Sequence, residues 1–154
     1  MNFVVKNKMS NRYVLDASAL IALINKEPGG EKVVKILPRC IMSAINLSES
    51  AAVLSSISMP YENIKNILAE LVREIIPFDA EQAFETAFLR DLTKNIGLSL
   101  GDRACIALGR LKKLPVITAD KVWTSINYGV FNSLKVFQER YNCPNKGRTL
   151  LRVL

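Results

Sequence analysis

The sequence predicts an α/β fold of three layers, α/β/α, with helices on both faces of a mainly parallel central sheet. Three observations lead there. Short apolar, β-favouring runs alternate with stretches of helical spacing, which is the pattern of βαβ units whose parallel strands need crossover helices. The 154 residues are 49% hydrophobic and 23% charged, the size and make-up of one globular domain that buries roughly 68–70% of its unfolded surface. No apolar run approaches the ~20 residues of a membrane span, so no membrane partner is expected.

Residues 1–11 read as an N-terminal extension, 12–140 as the folded domain and 141–154 as a C-terminal tail. The first strand is Tyr13, Val14 and Leu15. Asp16 follows on the turn, and Ala17, Ala19, Leu20, Ile21, Ala22, Leu23 and Ile24 form a buried helix that Pro28-Gly29-Gly30 breaks. Residues 30–37 predict a second helix, with Val33, Val34 and Leu37 inward and Glu31, Lys32 and Lys35 outward; Pro38 ends it. Residues 40–42 predict a strand, and either Ser43 or Asn46 caps the helix that runs to about residue 57. Pro60 suits the first turn of the next helix, whose Ile64, Ile67, Leu68, Leu71 and Val72 share one face. Residues 74–78 form a strand. Asp79-Ala80-Glu81-Gln82 has capping-box form and starts a helix with Ala83, Phe84, Ala87 and Phe88 on its buried side. A helix over 99–112, a buried strand over 115–119, a short helix over 120–125 and a last strand over 134–137 complete the domain. Residues 141–147 read as loop, and 148–154 as an ordered tail or a frayed one.

Composition narrows the chemistry. The chain contains no histidine, which excludes Ser-His and Cys-His nucleophilic systems and His-rich zinc sites. Its three cysteines, Cys40, Cys105 and Cys143, follow no metal-ligand spacing; Cys40 and Cys105 lie in apolar contexts, as reduced thiols in the core of a cytoplasmic protein would. Acid–base or metal chemistry therefore rests on carboxylates. The formal charge of +7 is uneven: residues 1–102 carry eleven Lys/Arg against twelve Asp/Glu, and residues 103–154 carry ten against two. A basic final third suits a polyanion, and a plain solvated surface suits it as well.

Four acidic residues stand out. Asp16 and Asp120 each follow a buried strand, and right-handed crossovers bring such strand ends to one edge of the sheet. Glu49 has Ile45 and Val53 one turn to either side, an apolar face on which an ionised carboxylate is costly unless paired. Asp102 opens the apolar helix that contains Ala104-Cys105-Ile106. Each has a simpler reading as well. Asp16 and Asp120 suit N-caps, Ser99-Leu100-Gly101-Asp102 has capping-box form, and Glu49 suits a bond to Arg103 or an exposed position. Asp79, a cap on an amphipathic helix, is assigned no chemistry. If the four acids converge, each like-charged pair at ~4 Å costs about 4 kcal/mol at an effective dielectric near 20. They must then take up protons or hold a cation. Oxygen-only donors select a hard ion, Mg2+ or Mn2+, which suits phosphodiester hydrolysis. Ser18 and Thr118, each two residues from one of these acids, are placed to orient a ligand or a metal-bound water.

Four motifs then occur in order: Tyr13-Val14-Leu15-Asp16-Ala17-Ser18-Ala19-Leu20, Asn46-Leu47-Ser48-Glu49, Leu98-Ser99-Leu100-Gly101-Asp102-Arg103-Ala104-Cys105 and Ile117-Thr118-Ala119-Asp120-Lys121-Val122-Trp123. Together they resemble the PIN-domain ribonucleases, and specifically the VapC-type toxins of bacterial and archaeal toxin–antitoxin pairs. The resemblance spans residues 12–137. It implies a PIN-like nuclease domain, Mg2+- or Mn2+-dependent endoribonuclease activity that limits translation, homodimers, and a small cognate antitoxin packed in a groove among the helices. It also implies that Asp16, Glu49, Asp102 and Asp120 are the catalytic acids, with Asp16 and Asp102 as direct metal ligands. The stripe Ile64, Ile67, Leu68, Leu71 and the helix of Leu20 and Ile24 become candidate dimer or antitoxin surfaces, with plain core as the alternative. Two features depart from the family. Its first motif lies almost at the start of such chains, and the stretch after Arg140 is longer than expected. A non-cleaving PIN-like module that binds RNA or protein is the competing reading.

Overall fold

The computed structural model describes residues 11–126, 136–137 and 151–153. The elements in chain order are β1 (Tyr13–Leu15), α1 (Ala17–Ile24), α2 (Gly30–Ile36), a 3-10 turn (Leu37–Arg39), β2 (Cys40–Ser43), α3 (Ala44–Ser56) and α4 (Tyr61–Leu71). After them come β3 (Ile75–Ile76), α5 (Ala80–Thr93), α6 (Leu100–Lys112), β4 (Val116–Thr118), a second 3-10 turn (Lys121–Ser125), β5 (Val136–Phe137) and β6 (Leu151–Val153). The sheet order is β3-β2-β1-β4-β6-β5. Its first four strands are parallel, and β6 joins β4 antiparallel, with Ile117 opposite Arg152. The expected tail thus adds a strand through Leu151–Val153, and the strand expected over 134–137 is present as Val136–Phe137. Expectations for residues 1–10, 134–135, 141–147 and Cys143 lie outside the described residues.

The period-2 alternation of the strands builds the three layers. Tyr13, Leu15, Met42 and Ile117 turn to one face, where they pack with Leu20, Val33, Leu54, Ile64 and Leu68 from α1 to α4. Val14, Ile41 and Val116 turn to the other and meet Leu89 of α5, Ile106 and Leu108 of α6, and Trp123. Gly109 lets α6 sit tight on the sheet, since a Cβ there would lie 2.5 Å from Val116 Cγ2. Cys40 and Cys105 are buried free thiols, as expected. Among the described residues no helix is long and apolar enough to cross a membrane.

Two helices face otherwise than their patterns suggest. In α5 the buried side is Gln82, Thr86, Leu89 and Thr93, whereas Ala83 and Ala87 are exposed and Phe84 and Phe88 are 79% and 61% exposed. Anchors on the inner side decide this orientation. Gln82 Nε2 donates to Pro77 O, Glu85 pairs with Arg110 of α6 at 2.9 Å, and Leu89 enters the core. In α2, Val33 is buried but Val34 is 53% exposed. The helix ends at Ile36 and Leu37 passes into the 3-10 turn, so the face drawn for a longer helix loses its last member. The α4 stripe matches its pattern, with Ile64, Leu68 and Val72 buried.

Candidate active site

Asp16 is both a cap and a buried acid. It ends β1, N-caps α1 and is 2% exposed. Its Oδ2 accepts from Ser18 N at 3.2 Å, from Ser18 Oγ and from Thr118 Oγ1 at 2.9 Å, while Oδ1 accepts from Asn46 Nδ2 at 3.0 Å. Burial lifts its carboxyl from the ordinary 3.8 to about 6. The charge of Asp102 pushes the same way, against the hydrogen bonds from Ser18 and Thr118. The parallel pairing of Leu15 with Ile117 brings the ends of β1 and β4 side by side, so Ser18 Oγ also accepts from Ala119 N at 2.9 Å. Both expected supporting hydroxyls therefore hold Asp16.

The chain enters α3 directly from β2, with Ser43 rather than Asn46 as the cap: its side chain accepts from Ile45 N. Asn46 and Glu49, three residues apart, then share a helix face. Asn46 Nδ2 bridges Asp16 Oδ1, Glu49 Oε2 at 3.4 Å and Gly101 O at 3.3 Å. Glu49 is half-buried and bonds Ser99, not Arg103. Its carboxyl is raised by burial first and then by the charges of Asp16 and Asp102. Gly101 makes room for it: a Cβ at that position would lie 2.0 Å from Glu49 Oε2.

Asp102 does what the capping box predicts and more. Its Oδ2 accepts from Ser99 N at 2.7 Å and Ser99 Oγ accepts from Asp102 N at 3.1 Å, which closes the box. Its Oδ1 accepts from Trp123 Nε1 at 3.1 Å. A carboxylate offers about four lone-pair sites, so the cap leaves it able to ligate an ion. Behind it, burial pushes the Cys105 thiol well up, and the charges of Asp16, Asp102 and Glu49 push the same way. Three of the four expected acids thus share one neighbourhood.

The fourth expected acid, Asp120, follows β4 and N-caps the second 3-10 turn, its Oδ1 accepting from Val122 N at 2.9 Å. It is tied to the site through Thr118, whose Oγ1 accepts from Asp120 N at 3.1 Å. The sequence does not single out two residues of this site: Asn46 reads there as a cap candidate or a motif member, and Trp123 as a motif member. Their signals were the three-residue spacing from Asn46 to Glu49, and a tryptophan whose N–H needs a partner once it is buried.

Among the described residues no group of three or more His, Cys, Asp or Glu side chains stands ready to grip an ion together; the Asn46 amide links Asp16 to Glu49. The donor chemistry does fit a hard divalent ion. The donors are oxygens only, and two of the acids are raised, by burial first and then by the charges of their neighbours. Elsewhere, α3 and α4 flank an apolar cleft of about 870 Å³, lined by Leu47, Ala51, Met59, Tyr61, Ile64 and Leu68 among others.

The PIN domain family model matches residues 13–127. No curated protein matches the chain in sequence. A toxin–antitoxin complex from Klebsiella pneumoniae shares 21% identity over 74% of this chain and 92% of its own, with a TM-score of 0.58. DNA-bound VapBC from Salmonella typhimurium shares 20% over 75% and 92%, with a TM-score of 0.59. VapC20 of Mycobacterium tuberculosis, a sarcin-ricin-loop-cleaving toxin, shares 17% over 66% and 84%, with a TM-score of 0.56. At these identities the likeness is one of fold.

Proposed function

The chain belongs to the PIN-domain family, and from that premise we propose that it is an endoribonuclease that uses Mg2+ or Mn2+ to hydrolyse RNA phosphodiester bonds. In this reading it is the toxin of a VapC-type toxin–antitoxin pair, acting in the cytoplasm to limit translation. One observation carries the proposal: β1, α3 and α6 deliver Asp16, Glu49 and Asp102 to one place, where their mutual repulsion favours a divalent cation.

Asp16 and Asp102 would hold the ion. When bound, such an ion lowers the pKa of a ligated water and stabilises the departing oxygen of the phosphodiester. The chain's own residues prepare that chemistry. Ser18 and Thr118 direct two hydroxyl protons at Asp16 Oδ2, which fixes the carboxylate's rotation. Trp123 and Ser99 do the same for the two oxygens of Asp102. Glu49, half-buried and raised, is placed to accept a proton near the other two acids. Asp120 joins them as the fourth acid from the end of β4, where Thr118 ties its backbone to the site.

The partners follow the same reading. The cleft between α3 and α4 receives the apolar segment of a small antitoxin, and the protein works as a homodimer. Similarity in fold to toxin–antitoxin complexes supports the antitoxin. Purified protein incubated with RNA and Mg2+ tests the activity. Cleavage that EDTA stops, and that Asp16→Asn and Asp102→Asn abolish, is the expected result. Stable RNA binding with no cleavage under any divalent ion would favour a non-cleaving module instead.

A further inference from the structure

We infer that Asn46 is a positioning residue of this site, whose carboxamide sets where the Asp16 and Glu49 carboxylates stand before an ion arrives. The inference rests on the metal-dependent reading above and adds to it a neutral residue outside the acidic quartet.

Asn46 is 0% exposed in the first turn of α3. A buried amide is costly unless its polar atoms are bonded. Its Nδ2 is fully engaged, with acceptors at 3.0 Å on Asp16, 3.4 Å on Glu49 and 3.3 Å on the Gly101 carbonyl. Its Oδ1 is buried without a hydrogen-bond partner. Two amide protons are thus shared among three acceptors while the oxygen of the same amide goes unmatched. A side chain present only to fill space would have no reason to be so lopsided. Turning the amide over would set Oδ1 against two carboxylates and a carbonyl, so the surroundings dictate which end faces the acids.

The residue type matters as much as its place. A lysine here would neutralise the acids and compete with a cation. A leucine would leave the carboxylates free to swing apart. An asparagine offers the positive end of a dipole without a full charge, so it draws Asp16 and Glu49 together and leaves their negative charge for the ion. Through Gly101 O it also pins both to the turn that carries Asp102. Outer partners that orient metal-ligating carboxylates typically alter ion affinity by about 10- to 100-fold when removed.

The test is a Mn2+ titration of the full chain, read by the fluorescence of the single tryptophan, Trp123, which donates to Asp102, and checked by calorimetry. Asn46→Leu keeps the branched shape and removes the donor; Asn46→Ala serves if the variant with the larger leucine does not fold. Ser50→Ala is the control, because Ser50 Oγ donates at 2.8 Å to the backbone carbonyl of Asn46 and to no carboxylate. The expected result is a Kd for Mn2+ raised about 10- to 100-fold in a folded Asn46 variant and within about twofold of wild type in Ser50→Ala. Folded Asn46 variants that bind Mn2+ with the wild-type Kd overturn the inference and leave the nuclease reading standing. Wild-type protein that binds no Mn2+ by either readout overturns both.

Discussion

A buried acid with a raised pKa makes the ion-free protein less stable as pH rises, and Asp16 provides the test. Its carboxyl stands at about 6 in the fold against 3.8 for an ordinary aspartate. The folded state therefore holds more protons than the unfolded state through that window, so stability declines as pH climbs from about 4 through about 6. A difference of about 2 units corresponds to about 3 kcal/mol in full, of which about 1.5 kcal/mol is lost between roughly pH 5 and pH 8. For a chain of this length that is a fall of about 3–6 °C in melting temperature. Glu49, raised by burial and by Asp16 and Asp102, adds in the same direction. The assay is thermal or urea unfolding in EDTA at both pH values, for wild type and Asp16→Asn. The variant should lose most of this dependence. At pH 8 it should be as stable as wild type or slightly more so, since relief of burial and repulsion offsets the mismatched hydrogen bonds with Ser18 and Thr118. Saturating Mg2+ should restore the wild type at pH 8 and leave Asp16→Asn unmoved. An unchanged pH slope in the variant, or a loss of several kcal/mol of stability, would mean that Asp16 is a helix cap and nothing more.

The other expectations concern the first turn of α6 and Asp120. Gly101→Ala places a Cβ where the Glu49 carboxylate lies; that flexible end moves aside, so unfolding should show no loss and up to ~1 kcal/mol of helix gain. RNA cleavage by the same variant should fall at least about 10-fold, a loss of ~1.4 kcal/mol of barrier lowering. Asp102→Asn leaves one of two donors, Ser99 N or Trp123 Nε1, facing an amide N–H. Chemical denaturation should show a loss of about 1–2 kcal/mol, and wholesale unfolding would mean the cap outweighs any role in the site. Asp120→Asn keeps an oxygen for Val122 N, so its melting temperature should hold. Its cleavage rate should drop less than that of Asp16→Asn.

What was legible in the chain follows from what is physically expensive. Tyr13–Leu15 and Val116–Thr118 are short apolar strands followed by Asp16 and Asp120, Glu49 lies on an apolar helix face and Asp102 opens an apolar helix, and the cost of placing charge in such settings singles out these four. The outward face of α5 was not legible. Residues four apart share a side in either orientation, and the apolar set Phe84 and Phe88 competes with anchors such as Glu85–Arg110 that exist only once α6 is folded. Asn46 was hidden for a related reason. An uncharged polar residue near a helix start reads as a cap, and only the arrival of Asp16 and Gly101 from 30 and 55 residues away reveals its bonds. Asp120 matches Asp16 in kind: each follows a buried strand and N-caps the element after it.

The central claim is that Asp16 and Asp102 together hold a hard divalent ion, and a crystal soaked in Mn2+ and measured for anomalous scattering addresses it most directly. The account predicts a peak at about 2.0–2.3 Å from an oxygen of each carboxylate, absent from crystals of Asp16→Asn. A well-ordered site with both acids in place and no peak between them, or manganese bound only elsewhere, would contradict it.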